Sequence, residues 1–221
     1  MISEEHIKHS NVSLKQGISS VVKALVPLYK GNWILDVGCN TGMFVQSFLE
    51  EFPESSILGF EPVKVYYQYA SALFKNNANV YLENYALGDF DGSGTIYVAQ
   101  ENIGWNTLIK EKTDGDNSQT EEQISVISFD KYLDYTGLDS VIFDVVKIDT
   151  EGYEFKVING MKHFLKKQKP AIICEVAWGS EHPYWKEELE AFEFLFSIGY
   201  KTDVRDQILN LKSTTDILFM V

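Results

Sequence analysis

Cysteine is scarce in this sequence of 221 residues: only Cys39 and Cys174 occur, and neither belongs to a Cys-x-x-Cys pair. That argues against a disulfide framework or a thiolate zinc site and fits a reducing compartment, so a cytoplasmic location is expected. Long apolar runs are missing too. No stretch approaches the roughly 18 uninterrupted apolar residues of a membrane span. The N-terminal MISEEHIKHSNVSLKQG carries no signal-peptide core, so the sequon Asn11-Val12-Ser13 is read as chance. Cationic side chains are few: 19 Lys and Arg stand against 32 Asp and Glu, for a formal net charge of −13. Such a field repels phosphate backbones, so neither nucleic acid nor an anionic membrane is an expected partner. Two glycine patterns are also absent. Without GxGxxG there is no turn shaped for a pyrophosphate, and without GxxxxGK[ST] there is no P-loop.

What is present is apolar patterning: 45% of residues are hydrophobic and 14% aromatic. A chain of this size can bury one large core, so a single domain over 1–221 is expected. Within it, residues 1–30 read as a polar segment followed by a helix (19–28), an N-terminal cap. WILDVGCNTGMF, residues 33–44, reads as a buried strand, a glycine turn and the first turn of a helix. Further strands are expected at 57–60, 80–87, 141–149 and 171–176. Amphipathic helices are expected at 63–74, 153–165 and 187–198. Residues 99–123 form a polar insertion, of which 102–108 packs near a site and 113–123 is a solvated tip. Two closing strands, 199–204 and 215–221, leave little room for a crossover helix and so form an antiparallel pair. Alternating β and α segments imply a mostly parallel sheet with helices on both faces.

Sheets of that kind bind ligands outside the carboxyl ends of their strands. Those ends carry Asp36 with the 38–42 loop, Glu61, Ala86-Leu87-Gly88, Asp149-Thr150-Glu151 and Glu175. Carboxylates gathered at one rim are costly unless they meet donors or cations. Glu61 lies roughly 20 residues beyond the glycine turn, the spacing at which an acid reaches ribose hydroxyls; it also reads as a surface carboxylate or helix cap. A nucleoside cofactor without phosphates fits this turn better than a dinucleotide does. Lys147 points to the same face as Asp149, where it serves either a structural ion pair or catalysis. Asp149 and Glu175 offer hard oxygens to a divalent cation, but two carboxylates do not define a site, and no metal is expected. Trp105, Asn106, Trp178 and His182 lie in the loops expected to form an acceptor pocket; for His182 the alternative is a solvated loop residue.

The segments DVGCNTGMF, GFEP, NYALGD, NIGWNTL and above all VVKIDTEGYEFKVINGM resemble those of the FkbM family of S-adenosylmethionine-dependent methyltransferases. The similarity runs from about Trp33 to Val176. It implies a Rossmann-like class I fold with a seven-stranded sheet ending in an antiparallel hairpin. It also implies cofactor roles. Asp36 and the backbone of Gly38 to Gly42, flanked by Asn40 and Phe44, would hold the methionine part. Glu61 would take the ribose, Ala86 and Leu87 would line the adenine, and Asp149 would lie beside the methyl. For catalysis, Asp149 is the preferred group to orient or deprotonate a hydroxyl, with Glu151 second and Lys147 beside them. The expected activity is O-methylation of a sugar or other small metabolite. Two rivals are a nicotinamide oxidoreductase, against which the missing GxGxxG counts, and a cofactor-binding module without turnover.

Overall fold

A computed structural model describes residues 4–99, 102–112 and 119–221. Helix α1 (Glu4–Leu25) precedes strand β1 (Trp33–Val37), helix α2 (Met43–Glu51), strand β2 (Ser56–Phe60), helix α3 (Lys64–Phe74) and strand β3 (Val80–Glu83). Strands β4 (Ala86–Leu87), β5 (Gly92–Val98) and β6 (Thr120–Ile127) follow, then helix α4 (Phe129–Thr136) and strand β7 (Phe143–Ile148). Helices α5 (Glu154–Gly160) and α6 (Lys162–Gln168), strand β8 (Ala171–Val176), helix α7 (Trp185–Ser197) and strand β9 (Thr215–Phe219) complete the chain.

The main sheet has the order β3-β2-β1-β7-β8-β9, parallel except for β9. Strand order reverses between β1 and β7, which opens a crevice at their carboxyl ends. Alternation along the strands builds two cores. Leu35, Val37, Val146 and Ile148 pack on one face with residues of α4 to α7. Ile34, Ile57, Val145 and Ile173 pack on the other with α1 and α2.

Several sequence expectations are corrected. The strand expected over 80–87 divides, because the Asn84 side chain donates to the carbonyls of Glu61 and Pro62 (2.8 and 2.9 Å) and turns the chain away. Ala86 and Leu87 then pair with β6 in a second sheet, β4-β6-β5. The insertion expected over 99–123 is shorter, since Thr120 to Gln123 belong to β6 and pair with β5. Of the tip expected at 113–123, residues 113–118 lie outside the described residues. The helix expected over 153–165 is two, α5 and α6. Its break follows Gly160, where a Cβ would overlap the carbonyl of Gly88. The hairpin partner of β9 shrinks to one bridge, Lys201 with Met220, before a 3-10 turn at Arg205–Asn210. Among the described residues the main sheet therefore has six strands, not seven. Finally, α1 begins well before the helix expected at residue 19. Its Ile7 is buried against Val63, Tyr66 and Ile96 beside the second sheet, while Val22 and Leu25 lie in the core under α2.

Candidate active site

The loop after β1 is built by close backbone packing. The N–H groups of Gly38 and Cys39 both donate to the Phe60 carbonyl at 3.0 Å. Gly38 has φ +80°, and a Cβ there would overlap the Asp149 carbonyl oxygen. The missing side chain thus lets the ends of β1 and β7 meet, where Asp149 N–H donates to Val37 O at 3.1 Å. Asn40, at φ +48°, donates its N–H to Glu61 Oε2 (2.8 Å) and its side-chain amide to Ile103 O (2.7 Å). Glu61 also accepts from Val63 N–H at 2.8 Å. Burial nonetheless pushes its carboxyl up to about 8. Thr41 Oγ1 donates to Asn11 Oδ1 (2.9 Å), tying the loop to α1.

Across the crevice, Lys147 Nζ lies 3.0 Å from Asp149 Oδ2 and 3.4 Å from Asp36 Oδ1. Asp36 is fully buried, and loss of solvent pushes its carboxyl up to about 6 while Lys147 pulls it back. Burial, the largest single effect on Lys147, lowers its pKa, but Asp149, Asp36 and Glu175 together outweigh it and hold the ammonium above its ordinary value. The following turn is held from within. Glu154 Oε1 accepts from Thr150 N (2.7 Å), Thr150 Oγ1 (2.9 Å) and Gly152 N (3.2 Å). Burial raises this carboxyl to about 7. Glu151 sits at φ +53°, and its carbonyl accepts from Thr107 Oγ1 at 2.6 Å. At the end of β8, burial and then the charges of Asp149 and Glu151 push Glu175 up to about 11.

One cleft joins these groups. It spans about 1040 Å3 when its solvent-facing mouth is included, and it is open to solvent on one side. Of the residues singled out in the sequence, Gly38, Asn40, Phe44, Glu61, Ala86 and Leu87 line its walls, as do Asn106, Lys147, Asp149 and Glu151. The others are placed elsewhere. Asp36 stands behind Lys147, out of the cleft. Gly42 caps α2 at φ +80°, and its bare Cα makes room for the Phe74 ring rather than for a ligand. Trp105 is 63% exposed and lines no wall of the cleft. Trp178 and His182 lie behind the 149–152 turn. His182 Nε2 donates to Gly152 O (2.7 Å) while Nδ1 accepts from Tyr184 N–H (2.9 Å), so both ring nitrogens are engaged in structure. The Trp178 ring packs on His182 and against Gly152, where a Cβ would strike it. Asn106 lines the cleft with a side chain already bonded to Ala99 N and Ile103 O.

Sequence reasoning did not single out Ile18, Tyr85 and Tyr153 as lining residues. Ile18 carried only a helix-face signal, and Tyr85 sits at the unforeseen break between β3 and β4.

The fold, the strand-order reversal and an acid-rimmed cleft without a pyrophosphate turn define a class I methyltransferase architecture. Residues 36–201 match the methyltransferase FkbM domain, and the chain belongs to that family of S-adenosylmethionine-dependent methyltransferases. Among curated proteins none matches the sequence significantly. Among solved structures, the methyltransferase FkbM from Methylobacillus flagellatus KT is similar at 14% identity and a TM-score of 0.54. The alignment covers 86% of this chain and 44% of that one, so this chain spans less than half its length. Aeropyrum pernix fibrillarin, solved with natively bound S-adenosyl-L-methionine, is similar at 10% identity and a TM-score of 0.52, covering 93% of this chain and 74% of that one. The magnesium protoporphyrin IX methyltransferase of Synechocystis PCC 6803, solved with bound cofactor, aligns at 12% identity and a TM-score of 0.50, over 94% and 79%. At these identities the likeness carries the fold alone. Among the described residues no helix is long and apolar enough to cross a membrane.

Proposed function

We propose that this methyltransferase acts on a hydroxyl oxygen of a sugar or another small metabolite. The observation that carries the reading is the position of Asp149. It stands at the carboxyl end of β7, its side chain is 36% exposed, and only one of its oxygens is paired with Lys147. An aspartate so placed can accept a hydrogen bond from an acceptor hydroxyl and take its proton.

The donor set fits the cofactor. A carboxylate offers about four acceptor positions, and Glu61 uses two on backbone amides. The rest can receive the two ribose hydroxyls. The apolar wall of Ala86 and Leu87 suits an adenine edge, and Gly38 brings bare backbone to the methionine end. Bound S-adenosylmethionine supplies an electrophilic methyl on a sulfonium. Lys147 fixes the Asp149 carboxylate, the walls exclude water, and Asp149 aligns the incoming oxygen.

The negative field favours a small acceptor over a nucleic acid. Two buried, unbridged cysteines are in keeping with a cytoplasmic setting. The test is incubation with S-adenosylmethionine and a panel of sugars and hydroxylated metabolites, reading S-adenosylhomocysteine by mass spectrometry. Turnover with a hydroxyl acceptor, reduced at least about tenfold in kcat by Asp149→Asn with cofactor affinity kept, is expected. Cofactor binding with no turnover across the panel would leave a binding module instead.

A further inference from the structure

We propose that Glu188 is a neutral carboxylic acid whose O–H donates to the Glu154 carboxylate, and that this buried pair positions the turn carrying Asp149. Both side chains are sealed from solvent, each residue being 1% exposed. Glu154 opens α5 and Glu188 lies in the first turn of α7. The Phe155 ring stacks on the Tyr184 ring at 5.7 Å, which brings the two helix starts together. The two carboxyls differ in what meets them. Glu154 Oε1 accepts three hydrogen bonds from Thr150 and Gly152. Both oxygens of Glu188 are buried and find no donor; the Phe155 N–H approaches without completing a bond.

Among the described residues no lysine or arginine forms an ion pair with either acid. The ionisable neighbours are Asp149 past β7, Glu151 in the turn, and Cys174 and Glu175 of β8, so none adds positive charge. A carboxylate without donor or cation in such a place is far costlier than the neutral acid. The neutral acid has one O–H to give and needs an acceptor, and Glu154 is the charged group that acts on Glu188. Three donors favour the charge on Glu154, and their lack favours the proton on Glu188. Burial accordingly raises Glu154 to about 7 but Glu188 well above the ordinary glutamate value, with the Glu154 charge adding to the rise. The turn that Glu154 holds carries Asp149 at its start and Glu151 within it, both on the cleft wall. Glu188 touches neither cofactor nor acceptor and acts only through Glu154, as a positioning residue. That role rests on the O-methylation reading; the shared proton does not.

The experiment is carboxyl-labelled glutamate NMR of the intact chain at pH 8, assigned through bonds from the α7 backbone. Hydrogen exchange of residues 149–155 is read on the same samples by mass spectrometry. The Glu188 carboxyl should resonate as a protonated acid. Glu188→Leu, which has no donor, should speed exchange in 149–155 at least about tenfold and lower kcat while KM for S-adenosylmethionine stays within about threefold. Glu188→Gln, whose amide donates in place of the O–H, should restore both to within about twofold of wild type. It should also remove from the kcat–pH profile the alkaline loss that deprotonation of Glu188 imposes. If Glu188→Leu fails to fold by circular dichroism, Glu188→Met carries the same comparison. An ionised Glu188 at pH 8, or equal exchange in the Leu and Gln variants, would overturn the pair. No turnover with any hydroxyl acceptor while Glu188 is protonated sinks only the O-methylation reading. Turnover with Glu188 ionised sinks only the pair.

Discussion

Replacing Lys147 by Met tests the electrostatic frame of the crevice most directly. Asp36 has no exposure, and Lys147 stands 3.4 Å from it. With Lys147 present, the Asp36 carboxyl titrates at about 6. Without the ammonium its pKa must climb further, because burial then acts unopposed. Below pH 6 Asp36 is protonated in both proteins, so its charge state contributes no difference between them. A Met of similar length there costs little or even stabilises, since a buried ammonium is no longer desolvated. Above pH 6 the wild type releases the proton and the variant retains it. Each further pH unit then costs the variant about 1.4 kcal/mol relative to wild type. The expected penalty is therefore near zero at pH 5 and about 3 kcal/mol at pH 8, read from urea unfolding at both values. Asp36→Asn in the Lys147→Met background should abolish the pH dependence of this penalty relative to wild type. A penalty equal at pH 5 and pH 8, or a double variant as pH-sensitive as the single one, would refute the coupling.

Other consequences are open to the same instruments. Gly38→Ala forces a Cβ onto the Asp149 carbonyl at φ +80°; left-handed strain and overpacking together should cost about 2–5 kcal/mol in urea unfolding, with loss of S-adenosylhomocysteine binding. Glu61 is pushed up to about 8, so between its unfolded value near 4.5 and that point the folded chain holds more protons. Stability of the ligand-free protein must then fall as pH rises through this window, and Glu61→Gln should flatten the slope. At pH 9, where Glu61 is ionised, the same variant should weaken S-adenosylhomocysteine by about tenfold in calorimetry, as charge-assisted hydrogen bonds become neutral ones. His182→Ala removes one buried and one part-buried hydrogen bond and should cost about 2–4 kcal/mol of stability. Its cofactor Kd should change less than threefold, because the ring lies behind the turn.

The strands inside the main sheet were legible because burial on both faces writes itself as an apolar run broken only by an acid near its end. WILDV is β1 and AIICEV is β8, residue for residue. Strand ends were legible too, which is why Gly38, Glu61 and Asp149 meet in one cleft. What escaped depends on contacts distant in the chain. The fork at Asn84 needs the carbonyls of Glu61 and Pro62, and the break at Gly160 needs the backbone of Gly88. Gly42 answers to a phenylalanine of α3, a demand that a glycine-turn pattern does not reveal. His182 and Trp178 followed a strand end, as site residues do. Their loop instead folds behind the neighbouring turn, and no local spacing records that.

Helix α1 has a consequence for handling the protein. A single helix is buried at Ile7 beside the second sheet, latched at Asn11 to the glycine loop and buried at Val22 beneath α2. It works as a crossbar between the two β layers, in addition to the core that Leu87 of β4 shares with the main sheet. An affinity tag or truncation that disturbs its first three turns would leave the main sheet standing and yet slacken the loop that grips the ligand. Such a sample would pass every test of folding and fail in binding, so a silent preparation should be checked at its N-terminus before its chemistry is doubted.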